Sequence, residues 1–111
     1  MTLEERIIAF EKLGIQLTIW LDAKMTGKPN PLDEVMRQAF FKNGWFTEDQ
    51  VLFAFKQIND WLKKDALEDW VKDYTFEPIS KTKSVGVIMA GNIPLVGYHD
   101  YLCVLITGHK L

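Results

Sequence analysis

The sequence has 111 residues, and its 13 Lys and Arg against 15 Asp and Glu leave a formal net charge of −2. That balance excludes a nucleic-acid binder, which needs a basic patch to displace counterions from phosphates, and an acidic disordered tail. A single cysteine excludes an internal disulfide and a multi-cysteine metal site. Met1-Thr2-Leu3-Glu4-Glu5 lacks the basic and then apolar pattern of a signal peptide, so a reducing cytoplasm is the expected setting.

In chain order, Thr2 with Glu5 forms a capping box, and Ile7, Phe10, Gly14, Leu17 and Leu21 recur at the three- and four-residue spacing of an amphipathic helix. Ile8, Ile15, Ile19 and Trp20 widen this stripe beyond what one neighbour covers. Gly27-Lys28-Pro29-Asn30-Pro31 interrupts it. Asn30 and Pro31 are suited to the cap and first turn of a second helix, with Leu32, Val35, Met36, Ala39 and Phe40 as its apolar face. Asn43-Gly44 is read as its left-handed stop. Thr47 with Gln50 opens a third helix whose face continues through Val51, Phe55, Ile58 and Leu62. Asp65 with Glu68 marks a fourth, through Leu67, Trp70, Val71 and Tyr74.

After Tyr74 the composition changes. Phe76-Glu77-Pro78-Ile79 is read as an extended linker, because a residue before proline avoids helical geometry. The uncharged run Ser84-Val85-Gly86-Val87-Ile88-Met89-Ala90 suits a strand buried on both faces. Gly91-Asn92-Ile93-Pro94 turns the chain, Leu95 to Thr107 is a helix candidate, and Gly108 its stop. Strand, turn and helix make the opening of a βαβ unit, with a second strand due at about His109. A membrane span from Val85 to Leu111 is opposed by Gly91-Asn92-Ile93-Pro94 and His99-Asp100, which a lipid-exposed helix tolerates poorly. The expected fold class is therefore α/β: a helical amino-terminal region over residues 1–78, then an incomplete cofactor-binding domain over 79–111.

Candidate chemistry gathers at the end of the expected strand, where open parallel sheets bind ligands. Gly91 permits close approach. Asn92 carries two N–H donors and an acceptor. It is read either as a donor to a carbonyl oxygen that gains charge or as the residue of an Asx turn. Cys103, among Leu102, Val104, Leu105 and Ile106, is expected to be an inert packed thiol. His99 and Asp100 are adjacent on a helix and point in different directions. Glu4-Glu5, Asp33-Glu34 and Glu48-Asp49 are first-turn acids facing helix dipoles.

The run Val85-Gly86-Val87-Ile88-Met89-Ala90-Gly91-Asn92-Ile93-Pro94-Leu95 resembles the aldehyde dehydrogenase pattern Gly-x-Ile-x-Pro-Trp-Asn-Phe-Pro-Leu. Gly86, Ile88, Asn92, Pro94 and Leu95 match in register, whereas Ala90 and Gly91 stand in place of Pro and Trp. With Val96-Gly97-Tyr98-His99-Asp100 added, the segment is similar to the fatty acyl-CoA reductases related to the bioluminescence reductase, over about residues 84 to 111. Asn43-Gly44-Trp45-Phe46-Thr47, Trp61 and Trp70 extend the likeness into the leader.

The resemblance implies the amino-terminal part of a reductase that turns fatty acyl-CoA, or another acyl thioester, into fatty aldehyde with NADPH through a cysteine acyl-enzyme. It implies that Asn92 donates to the thioester oxygen and that Ile88, Met89, Ala90 and Gly91 line the nicotinamide side of the cofactor pocket. The nucleophilic cysteine is expected downstream, in the remainder of the same polypeptide, so the 111 residues alone are expected to be inactive. Homo-oligomerisation is left open. The rival expectation is a small helical interaction module without catalysis, docking through the wide stripe of its first helix.

Overall fold

A computed structural model describes all of residues 1–111. Five helices follow one another: α1 (Leu3–Met25), α2 (Pro31–Lys42), α3 (Glu48–Trp61), α4 (Lys64–Val71) and α5 (Tyr98–Ile106). Their ends follow from local chemistry. Thr2 Oγ1 accepts from the Glu5 amide and Glu5 returns a bond to the Thr2 amide, satisfying two donors that a helix start leaves orphaned. Asn30 and Asp33 do the same for α2, with Pro31 in its first turn. Thr47 caps α3 through the Gln50 amide, whereas α4 starts at Lys63 with no side-chain cap. At the end of α1 the Gly27 and Lys28 amides reach back to the carbonyls of Lys24 and Ala23, with Gly27 at φ +69°. That is the left-handed Schellman stop.

α1 is the central element and packs against all four other helices. Its buried residues are Ile7, Phe10, Gly14, Leu17 and Leu21, the five of the narrow periodic stripe. Gly14 is required by a close approach: a Cβ there would lie 2.9 Å from Cβ of Leu62. Leu32 and Met36 from α2, Val51 and Ile58 from α3, Leu62, Leu67 and Val71 around α4, and Leu102 and Ile106 from α5 complete one core. Ile15 and Ile19, which widen the stripe, are exposed.

The expected α/β fold is overturned: the chain is all-helical, and no sheet forms. From Val85 to Ala90 the backbone is an irregular segment whose only ladder element is one parallel bridge, Ser84 with Lys110. A strand draws its hydrogen bonds from neighbours, and here the neighbour is two bonds long, Val85 N to Lys110 O and Lys110 N to Lys83 O. Nor is the run buried on two faces: Ile88 is fully exposed, and Met89 and Ala90 lie at the surface. The apolar, β-branched composition was misleading because it reports a preference for a pleated neighbourhood that this chain does not supply.

The last helix is also shorter than expected, Tyr98 to Ile106 rather than Leu95 to Thr107. Leu95 takes a left-handed φ of 56°, the one non-glycine to do so, and the turn it makes delays the helix to Tyr98. The Gly108 stop is as anticipated: the Gly108 and His109 amides bond the carbonyls of Leu105 and Val104 with Gly108 at φ +85°. No helix is long and apolar enough to cross a membrane.

Candidate functional site

Residues 91–96 form a turn laid beside α3. Two contacts fix it from outside. Asn43, just past α2, donates its Nδ2 to the Gly91 carbonyl at 2.8 Å, and its Oδ1 accepts from the Trp45 amide at 3.1 Å. Asn43 is extended, with φ −149° and ψ 105°, so α2 ends without the left-handed stop expected at Asn43-Gly44. Its side chain is instead a strut between α2 and the turn. Within the turn, the Val96 amide reaches the Ile93 carbonyl and the Tyr98 amide the Leu95 carbonyl. A left-handed leucine is a strained conformation that its surroundings must impose.

Between this turn and α3 lies a groove of about 540 Å³, within the range of small-molecule sites. Phe53, Ala54, Ile58 and Trp61 line the α3 side, and Ile93 and Leu95 line the other. Asn92 is on the same groove, exposed, and its side chain makes no hydrogen bond to any protein group. An Asx turn would need the amide two residues on, and that residue is Pro94, which has none. Both donors and the acceptor of Asn92 are therefore uncommitted, and the turn reading of this residue loses its mechanism.

The four residues expected to flank a nicotinamide are not drawn into a pocket by the chain itself. Ile88 projects outward, Met89 folds against Gly97, where a Cβ would collide with its side chain, and Ala90 is exposed. Gly91 is exposed, with open space where a Cβ would stand. Backbone N–H groups from Gly86 to Ile93 have no partner in the chain.

A second cluster surrounds His99. Trp61 meets its ring edge-on at 5.8 Å and Trp70 lies tilted at 5.7 Å, so the two tryptophans converge on α5. Cys103 Sγ is 3.7 Å from His99 Nδ1. The thiol is half-buried beside this ring, not packed in the core as its neighbours in sequence led one to expect. Partial burial and, after it, the nearby Asp100 raise its pKa, which favours the thiol over the thiolate. Asp100 makes no bond to His99, in keeping with their adjacency on the helix. No group of three or more His, Cys, Asp or Glu side chains is placed to hold a metal ion. No known protein family, characterised protein or solved structure matches the chain.

Of the site, sequence reasoning located the turn and Asn92 but missed Asn43, Leu95 and the α3 wall. Nothing in the local pattern of Asn43-Gly44 marks a contact 48 residues away. Phe53 went unread, because it lies off the periodic face of Val51, Phe55, Ile58 and Leu62.

Proposed function

We propose that this chain is the amino-terminal part of an NADPH-dependent reductase of fatty acyl thioesters, in which Asn92 donates its side-chain amide to the thioester oxygen. The observation that carries this reading is an unpaired Asn92 amide beside an apolar groove. When a thiolate adds to the thioester carbon, the carbonyl π pair moves to oxygen. An amide already aimed there stabilises that charge more than the ground state, which accelerates the step. Cys103 does not line the groove and its pKa is raised by partial burial, so it is not assigned as the attacking group; this reading puts the nucleophile in a further part of the polypeptide.

A bound NADPH would supply the hydride that reduces the acyl group to aldehyde. Residues 88–91 do not by themselves form a pocket for its nicotinamide ring: Ile88, Ala90 and Gly91 are exposed and Met89 folds against Gly97. Exposed Phe41, Trp45 and Ile88 suit contact with further protein. Exposed Ile15 and Ile19 on α1 favour a second reading, a helical module docking through that face without catalysis.

The test is single-turnover acylation in the protein that carries the nucleophile. Asn92→Ala is expected to slow acylation by ~10²–10³, and Asn92→Asp at least as much, since a carboxylate repels the developing charge. Near-normal acylation in Asn92→Asp would sink the assignment. The 111 residues alone, mixed with acyl-CoA and NADPH, are expected to form no aldehyde, and turnover that survived repurification would overturn this reading.

A further inference from the structure

We infer that the groove between α3 and the 91–96 turn binds the alkyl chain of an uncharged acyl group, with the carbonyl end at Asn92. This rests on the acyl-thioester reading above and adds a location and a selectivity to it. The groove wall is hydrocarbon on both sides: Phe53 and Trp61 expose large aromatic faces, and Ile93 and Leu95 oppose them. An alkyl chain laid there removes apolar surface from water on both partners.

The polar groups of the lining identify the head. They are Asn92, Gln50, Gln57 and Asp49. Three are neutral amides that can donate to a carbonyl oxygen. The fourth is an acid, and no Lys, Arg or His lines the groove. A fatty carboxylate would gain no counter-charge and would be repelled by the negative Asp49, whereas a thioester or ester carries no charge to be repelled and can accept from the three amides. The same charge pattern disfavours an acidic peptide. Strain marks the site independently: Leu95 holds a left-handed φ of 56° within the groove wall, a conformation that tends to persist where structure is kept for binding.

The test uses the 111-residue chain, titrated with S-ethyl octanethioate and, separately, with octanoate at pH 7, and followed by amide NMR. The thioester is expected to shift the amides of residues 50–61 and 92–96 saturably, and octanoate to bind at least ~10-fold more weakly. Ala54→Leu, which fills the groove, is expected to abolish the thioester shifts. Phe41→Ser, an exposed apolar residue outside the groove, is expected to leave them unchanged. Helix content by circular dichroism checks that both variants fold; should Ala54→Leu unfold, Ala54→Ser with Phe53→Ser provides the second pair.

Equal binding of thioester and octanoate would overturn the inference. So would shifts centred on Phe40, Phe41 and Trp45, or groove shifts that follow protein concentration without ligand, which report a second copy in the groove. Failure here with a normal Asn92→Asp defect in acylation removes the groove and leaves the reductase reading. Saturable thioester binding with normal acylation in Asn92→Asp does the reverse.

Discussion

Tyr98 carries its hydroxyl to a position with almost no solvent and no protein group to pair it. Burial pushes its pKa up to about 12, with Tyr101 stacked beside it at 5.4 Å as a lesser cause. A phenol so placed gives up its bonds to water and regains none, which costs of the order of 1–3 kcal/mol. Tyr98→Phe keeps the ring and its stacking while removing that cost. The variant is expected to be about 1 kcal/mol more stable in urea denaturation; a loss of similar size would mean that the hydroxyl has a partner. At this scale the sequence was informative where chemistry is local. The caps at Thr2, Asn30 and Thr47 follow from residue type and spacing. It was silent where a residue acts at a distance, as Asn43 does on Gly91. It was misread at Cys103, whose apolar neighbours in sequence lie on other faces of α5 while His99, one turn back, stands beside the thiol.

At the scale of elements, the helices were legible because a three- and four-residue period reports burial within one contiguous segment. α1 buries the five residues its narrow stripe singles out. The 84–90 run was not legible in the same way. A strand is completed by partners remote in sequence, and an apolar run cannot report whether they exist. What holds this segment is its ends: the Val85 amide on Lys110, and Asn43 on Gly91. Amide hydrogen exchange should resolve this. Val85 is expected to be protected, residues 86–92 to exchange close to the rate of unstructured chain, and the α1 interior to exchange slowest, in line with local contact density. Slow exchange from Gly86 to Ala90 in a monomeric sample would restore the strand. Arg6 supports the far end of the same unit, its Nε donating to the Ile106 carbonyl at 2.8 Å, where a cation meets the negative end of α5.

Over the whole molecule, one lysine joins three helices. Lys24 Nζ, near the end of α1, lies 2.8 Å from Asp33 of α2 and 2.8 Å from Glu48 of α3. Its pKa is raised by the hydrogen bonds to Asp33 and Glu48, and that of Asp33 is lowered first by Lys24 and then by the Asn30 amide. On the same turn of α2, Arg37 and Gln38 draw Glu34 from 4.5 down to about 2. Glu5 is lowered by the Thr2 amide. Each of these acids is depressed in the folded state. Each therefore contributes stability that is present above its unfolded value and lost as pH falls through its folded value. The raised pKa of Lys24 acts in the opposite window and is fully engaged at neutral pH. The thermal midpoint is accordingly expected to be flat from pH 7 to about 5 and to fall progressively from about pH 4 towards 2. The three acids are exposed to solvent, so the fall should be shallow and should diminish in high salt, which screens the attraction between surface charges. Lys24→Gln removes the hub while keeping a long polar side chain. It should lower the midpoint at pH 7 and flatten part of the acid fall, because Asp33 then has less to lose on protonation. A midpoint in Lys24→Gln that falls with acid as steeply as in the parent chain would show that the three-helix junction does not couple to the ionisation of Asp33.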